Sequence, residues 1–236
     1  MLAKGLGLNI KVSKLRTQAI LTKAIENSLI EEGGYDHVIG CDEAGRGPLA
    51  GPVVVASLIC KPGHVMLEAQ DSKKLSAAKR EILYDQIVSM PDAFAFHIAV
   101  VPPAVIDEIN ILQATLFGMQ QAVEALADQL GGKSYAIIDG NKTPPRLRIP
   151  ARPLVKGDSI CYSVALASIL AKVHRDRLML QYHSSYPQWQ FDKHKGYGTK
   201  EHIKLIHMHG ASPIHRMSFK PLLGRQSDVK NKQVGK

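Results

Sequence analysis

Two short apolar runs in this chain end on acids. Residues 37–41 stop at Asp42 and Glu43, and residues 135–138 stop at Asp139. A run of this kind reads as a buried strand that delivers a charged side chain at its end. The stretch from Ala44 to Gly51 holds Gly45, Gly47, Pro48 and Gly51, so it must turn. Residues 53–60 are β-branched and apolar, a second buried strand close enough to the first to form a hairpin or a neighbouring pair. A chain patterned in this way must build a sheet whose strand ends carry carboxylates.

The remaining elements alternate. Ser76 can cap a helix to about residue 90, with Ile82, Leu83 and Ile87 facing inward. Residues 94–101 read as a strand, with Phe94, Phe96 and Ile98 alternating. Pro103 opens a long helix whose apolar positions Ile109, Leu112, Leu116, Met119, Val123 and Leu126 step by three and four until Gly131 and Gly132. Residues 147–155 can form another extended segment. From 159 to about 183 the pattern is helical, and Ala165, Ala167, Ser168 and Ala171 are small enough to let that helix lie close to a sheet. Thr199 can cap a last helix, with Glu201 in its first turn and Gly210 after its end. The expected class is α/β: a central mixed sheet flanked by helices.

Charge is distributed unevenly. Residues 1–139 carry 12 Lys and Arg against 16 Asp and Glu, whereas residues 140–236 carry 18 against 5. A one-sided basic field suits a polyanion such as nucleic acid. Cys41, Cys60 and Cys161 are scattered, which speaks against a disulfide framework and against a zinc site. No apolar run reaches the roughly 18 residues a membrane helix needs, and there is no secretory h-region. Lys4, Lys11, Lys14, Arg16 and Lys23 precede the first acid, Glu26. They fit a basic helix and cytoplasmic residence; a mitochondrial presequence is the alternative. The expected divisions are a basic segment at 1–34, a catalytic domain at 35–221 and a polar, disordered basic tail at 222–236.

Asp158 starts the helical stretch at 159 and joins Asp42, Glu43 and Asp139 as a candidate acid. Taken singly, each acid is better explained as a cap or turn residue. Together, if the strands are neighbours, they crowd negative charge that a cation must neutralise. Oxygen donors alone suit Mg²⁺ or Mn²⁺. Two such ions can activate water and stabilise the leaving oxygen in attack on phosphorus. Gly45, Arg46 and Gly47 follow directly. Glycines admit close backbone approach, and a hydroxyl reader beside a metal would tell RNA from DNA.

The blocks Cys41–Val53, Asp71–Leu75, Ile138–Asn141, Lys156–Ser159, Ala167–Val173 with Arg175 and Asp176, His194–Thr199, and His215-Arg216 with Ser218-Phe219 occur in order over residues 37–221. This set resembles the signature of type 2 ribonuclease H, ribonuclease HII. The resemblance implies an RNase H-like fold with a C-terminal helical extension. It implies cleavage of RNA in RNA–DNA hybrids and incision on the 5′ side of single ribonucleotides in duplex DNA, leaving a 3′-hydroxyl and a 5′-phosphate. It would make Asp42, Glu43 and Asp139 ligands of Mn²⁺ or Mg²⁺, with Asp158 completing the site. Gly45, Arg46 and Gly47 would read the 2′-hydroxyl, mostly through backbone, and Tyr197 would stack on the next deoxyribose. Lys73, Lys74 and Lys172 would contact or place phosphates. A monomer acting on nucleic acid, away from membranes, is implied.

Met217 and Leu166 depart from the family pattern; the first is expected to weaken a phosphate contact and the second to alter packing. A ribonuclease HIII-like enzyme is disfavoured by Arg46 and the short N-terminal segment. A strand-transfer enzyme is disfavoured by the glycine loop and Tyr197, and a non-catalytic hybrid binder by the presence of all four acids.

Overall fold

The computed structural model describes residues 22–63, 66–68 and 75–222. Lys73 and Lys74 lie outside these residues, as do residues 1–21 and 223–236, and with them most of the basic segment and the tail.

Five strands form one mixed sheet: β1 (His37–Ala44), β2 (Val53–Cys60), β3 (Phe94–Val101), β4 (Ser134–Asp139) and β5 (Ala151–Leu154). Their order is β3-β2-β1-β4-β5. β1 pairs antiparallel with β2, and β2 with β3; β4 runs parallel to both β1 and β5. The hairpin expected between the first two runs is present, and Asp42 and Asp139 stand at the ends of neighbouring parallel strands. Cys41 is opposite Ile138 in that ladder, so the two acids lie one residue beyond the paired positions.

Helices cover both faces. α3 (Pro103–Leu130) packs on one face through Leu116, Met119, Val123 and Leu126 against Ile39, Cys41, Val55 and Ile138. α4 (Tyr162–Ser185) packs on the other and is buried all round from Tyr162 to Ala171. Such a helix is apolar on every side because a sheet meets one side and α2 (Ala77–Ser89) another. Leu166 is wholly buried in this layer. Gly40 makes the close fit possible: a Cβ there would lie 2.4 Å from the backbone at Ser163 and Val164. α4 therefore lies nearly against the strand that carries Asp42.

Several details differ from the sequence reading. Ile82 is 59% exposed, because on α2 only Leu83, Tyr84 and Ile87 reach the core. α3 is broken at Asn110, whose φ is 65° and whose Oδ1 accepts from Leu112 and Gln113 N–H, capping the second half. Asp158 is not the cap of α4. It lies in a 3₁₀ turn, Gly157–Ser159, and Cys161 takes the N-cap position without capping the helix through its own side chain. The acid serving the start of α4 is instead Glu26, from α1 (Ala24–Glu31). Its buried Oε1 accepts from Ser163 N–H and Oγ–H, and from the Cys161 thiol. Cys41 and Cys161 are buried, and all three thiols are free.

The C-terminal part forms a small helical layer. α5 (Phe191–His194) and α6 (Lys200–His209) gather Trp189, Phe191, Leu205 and Ile206 against Leu49, Ala50 and Met179. Thr199 caps α6 by accepting from His202 N–H, and Gly210 follows its end, as the sequence indicates.

Candidate active site

The acids gather where β1 and β4 end. Asp42 is 5% exposed and points to the α4 side, where Ser168 hydrogen-bonds to it. Its Oδ1 also accepts from Glu43 N–H at 2.7 Å. Burial, then the charges of Glu43 and Asp139, push its carboxyl well above the usual range. Burial, then the charges of Asp42, Glu43 and Asp139, pushes the Cys41 thiol up, so it stays neutral on the α3 side. Asp139 Oδ1 accepts from Gly157 N–H at 2.7 Å, which pins the 3₁₀ turn carrying Asp158 to the end of β4. Asp158 is 4% exposed, and Ser159 Oγ lies 3.4 Å from its Oδ1. Three acids thus feel one another directly, and the fourth is attached through its neighbour.

Oxygen donors in this setting fit a divalent ion in chemical kind, since charge repulsion and burial both favour a cation there. The side chains are not arranged as a finished cage. Among the described residues no three His, Cys, Asp or Glu side chains close around one point. Glu43 Oε1 faces Arg46 at 3.3 Å instead.

The glycine loop beside them is held with far less latitude. Gly45 has a φ of 94°, and a Cβ there would fall 2.0 Å from Arg175 Nε, so no other residue fits. Arg216, wholly buried, donates to the carbonyls of Gly51 (2.9 Å), Arg46 (2.9 Å) and Gly45 (2.6 Å). Arg175, also buried, donates to the carbonyls of Pro52, Lys195 and Ala50 at 3.0 to 3.1 Å. Backbone bonds from Leu49 N–H to Gly196 O, Gly51 N–H to Ile214 O and Arg216 N–H to Leu49 O complete the strap. Burial, and the nearby Arg175 charge, lower the Arg216 guanidinium to about 9. Asp107, from the first turns of α3, opposes that fall. Its carboxylate accepts from Met217 N–H, Ser218 N–H and Ser218 Oγ–H, and so anchors the Arg216 segment.

The remaining expected residues fall around this loop. The Arg46 side chain is half exposed, while its carbonyl is bound inside. Gly47 is exposed, with nothing near its missing side chain. The Tyr197 ring is 42% exposed, with Lys172 Nζ 5.7 Å and Arg175 Cζ 5.8 Å from its centre. Lys172 is paired with Asp176 at 2.8 Å. Met217 contributes its backbone N–H to Asp107 and is half-buried.

The ribonuclease HII family profile matches residues 39–222. A ribonuclease HII of Pelodictyon phaeoclathratiforme is 50% identical over 188 residues, covering 78% of this chain and 89% of that protein. The chain belongs to the ribonuclease HII family. That family is one of endonucleases of the ribonuclease H kind. Solved structures agree in fold. Ribonuclease H2 of Pyrococcus horikoshii covers 79% of this chain and 95% of its own, with a TM-score of 0.61 at 24% identity. A Bst ribonuclease HIII, crystallised with Mn²⁺, covers 79% of this chain and 68% of its own, with a TM-score of 0.64 at 19% identity. The α/β fold, a mixed sheet flanked by helices, is thus shared with these structures. No described helix is long and apolar enough to cross a membrane.

Residue type and spacing do not mark Arg175, Arg216 and Asp107 as holding the glycine loop. Arg175 and Arg216 stood in the quoted blocks, but an arginine in a basic half of the chain reads as a phosphate contact. Only the fold shows that their donors are consumed inside. Asp107 carries no signal in the sequence, since its partners lie 110 residues away.

Proposed function

We propose that this protein hydrolyses the RNA strand of RNA–DNA hybrids and incises duplex DNA on the 5′ side of single embedded ribonucleotides. Asp42, Glu43, Asp139 and Asp158 would hold two divalent ions, Mg²⁺ or Mn²⁺. When bound, such ions supply an activated water and a Lewis acid for the leaving 3′-oxygen. The observation that carries the reading is the strap described above. Two buried arginines bind the carbonyls of residues 45, 46, 50, 51 and 52, so the loop next to Asp42 and Glu43 has one shape.

With its carbonyls turned inward, the loop is left to meet a ribose with N–H groups, glycine surface and the exposed Arg46 side chain. A 2′-hydroxyl both donates and accepts, and can be recognised by such backbone. The half-exposed Tyr197 ring offers a flat face for the following deoxyribose. Lys172, with Lys73 and Lys74, would place phosphates, and the basic C-terminal half would supply the sequence-independent attraction.

The test is nicking of a DNA duplex holding one ribonucleotide, beside a continuous RNA–DNA hybrid, with Mg²⁺ or Mn²⁺. Cleavage of both is expected, with 5′-phosphate products. Cleavage of the hybrid alone would remove the junction-reading role of the loop, and cleavage of neither would leave a hybrid binder.

A further inference from the structure

Behind the Tyr197 turn lie three buried histidines that touch none of the acids. His202 Nδ1 is 2.9 Å from the Tyr197 carbonyl oxygen, and His202 Nε2 is 3.0 Å from His215 Nε2. His215 Nδ1 lies 2.7 Å from Ser212 N and 2.6 Å from Ser212 Oγ. His194 Nε2 is 2.7 Å from the Trp189 carbonyl, its Nδ1 is 3.2 Å from Gly196 N, and its ring stacks on His202 at 4.1 Å.

Backbone groups have a fixed sense, and they fix the protons. A carbonyl only accepts, so His202 carries its hydrogen on Nδ1, leaving Nε2 bare. An amide N–H only donates, so His215 Nδ1 is bare and its hydrogen sits on Nε2. The ring-to-ring contact then holds one proton: His215 Nε2–H donates to His202 Nε2. By the same logic His194 donates from Nε2 and accepts at Nδ1. Every ring nitrogen has a hydrogen-bond partner, with all three imidazoles neutral. One more proton on any ring would set a donor against a donor.

We propose that His202 and His215 are positioning residues: a one-directional relay from Ser212 through both rings to the Tyr197 carbonyl fixes the turn that presents the Tyr197 ring, and so the discrimination of the ribose–deoxyribose step. The relay itself is read from geometry; its role in discrimination rests on the reading of Tyr197 under the proposed function. The electrostatics agree with the geometry. Burial, then the neighbouring imidazole, lowers His202 to about 4 and His215 to about 3, and burial lowers His194. Other charged groups around the cluster are Asp192, Lys195 and Glu201, which act on His194. His209 meets the Trp189 ring, and Arg216 turns away to the glycine loop. Among the described residues no carboxylate is hydrogen-bonded to either ring of the pair.

The full-length protein, labelled with ¹⁵N, gives a direct test by NMR at neutral pH. His202 is expected as the less common Nδ1–H tautomer, and His215 and His194 as Nε2–H. Finding His202 as Nε2–H, or any of the three protonated, would overturn the relay. For function, the readout is the rate of single-ribonucleotide incision divided by the rate of hybrid cleavage. His202→Leu is expected to lower this ratio about tenfold, with partial rescue by His202→Asn, which retains a donor. A proportional fall in both rates would reduce the pair to a structural role and overturn the proposal. In the wild type the ratio is expected to be flat from about pH 6 to pH 9, where both rings are neutral. A titration of the ratio in that interval would contradict it. If the wild type incises no single ribonucleotide, the Tyr197 reading fails, while the tautomers still report on the relay.

Discussion

The two halves of this site are built on opposite plans. The glycine loop is over-determined: Arg175 and Arg216 have no exposed surface, and together they make six hydrogen bonds, five of them to carbonyls of residues 45–52. The acid end is crowded with like charge. Asp42 is buried beside two other carboxylates, its proton affinity is raised, and Glu43 is turned to Arg46 rather than to a common centre. A loop that must distinguish one hydroxyl gains from being rigid before substrate arrives. An acid cluster that waits for cations is left with a repulsion that the ions remove. On the proposed function, ribose reading would be a property of the folded chain, whereas catalysis would require ions added to it.

Four substitutions sharpen or break that contrast. The largest effect is expected at the acid end: Asp42→Asn should reduce cleavage by at least about 10³-fold and leave duplex affinity within a few-fold, measured by single-turnover rates and equilibrium binding. Arg216→Lys acts on the other half. A lysine keeps the charge but lacks the planar fork that reaches three carbonyls. It should cost about 2–4 kcal/mol of stability, seen by denaturant titration, and lower the ratio of junction incision to hybrid cleavage about tenfold. Loss of stability with an unchanged ratio would separate the strap from recognition.

Next comes a stability effect without substrate. The folded state holds the Asp42 carboxyl above its unfolded value near 3.8, so the folded chain binds the extra proton. That contribution is present below this value and is lost as pH rises through the raised one. Metal-free protein should therefore lose stability on that rise, Asp139→Asn should lose less, and Mg²⁺ or Mn²⁺ should stabilise the wild type more than the variant. Thermal melts with and without chelator check all three. The smallest effect is expected for Asp176→Asn, which releases Lys172 from a partly exposed pair worth about 0–1 kcal/mol. Affinity should change by no more than a few-fold.

Much of the contrast is legible in the sequence, but unevenly. The strands ending in Asp42 and Asp139 follow from short apolar runs, and their adjacency follows once the ladder is parallel. The capped α6 follows from Thr199, Glu201 and Gly210. The role of Asp158 does not follow, because a helix cap and a turn residue a few positions ahead of the cap look alike along the chain. Ile82 misleads because α2 buries a narrow stripe, and an apolar residue at its edge stays in water. The strap is invisible because it joins side chains to backbone atoms of distant segments; the histidine relay is invisible because its backbone partners, though near in the chain, leave no mark on residue identity and its two rings meet only in the fold.

On the proposed function, the glycine loop recognises the ribose without metal. Equilibrium binding in excess chelator, comparing a DNA duplex holding one ribonucleotide with the same duplex in all-DNA form, tests it directly. The preference for the ribonucleotide is expected to be present in chelator and little changed when Ca²⁺ is supplied as a non-activating cation. A preference that is absent in chelator and appears only with the divalent ion would contradict the claim.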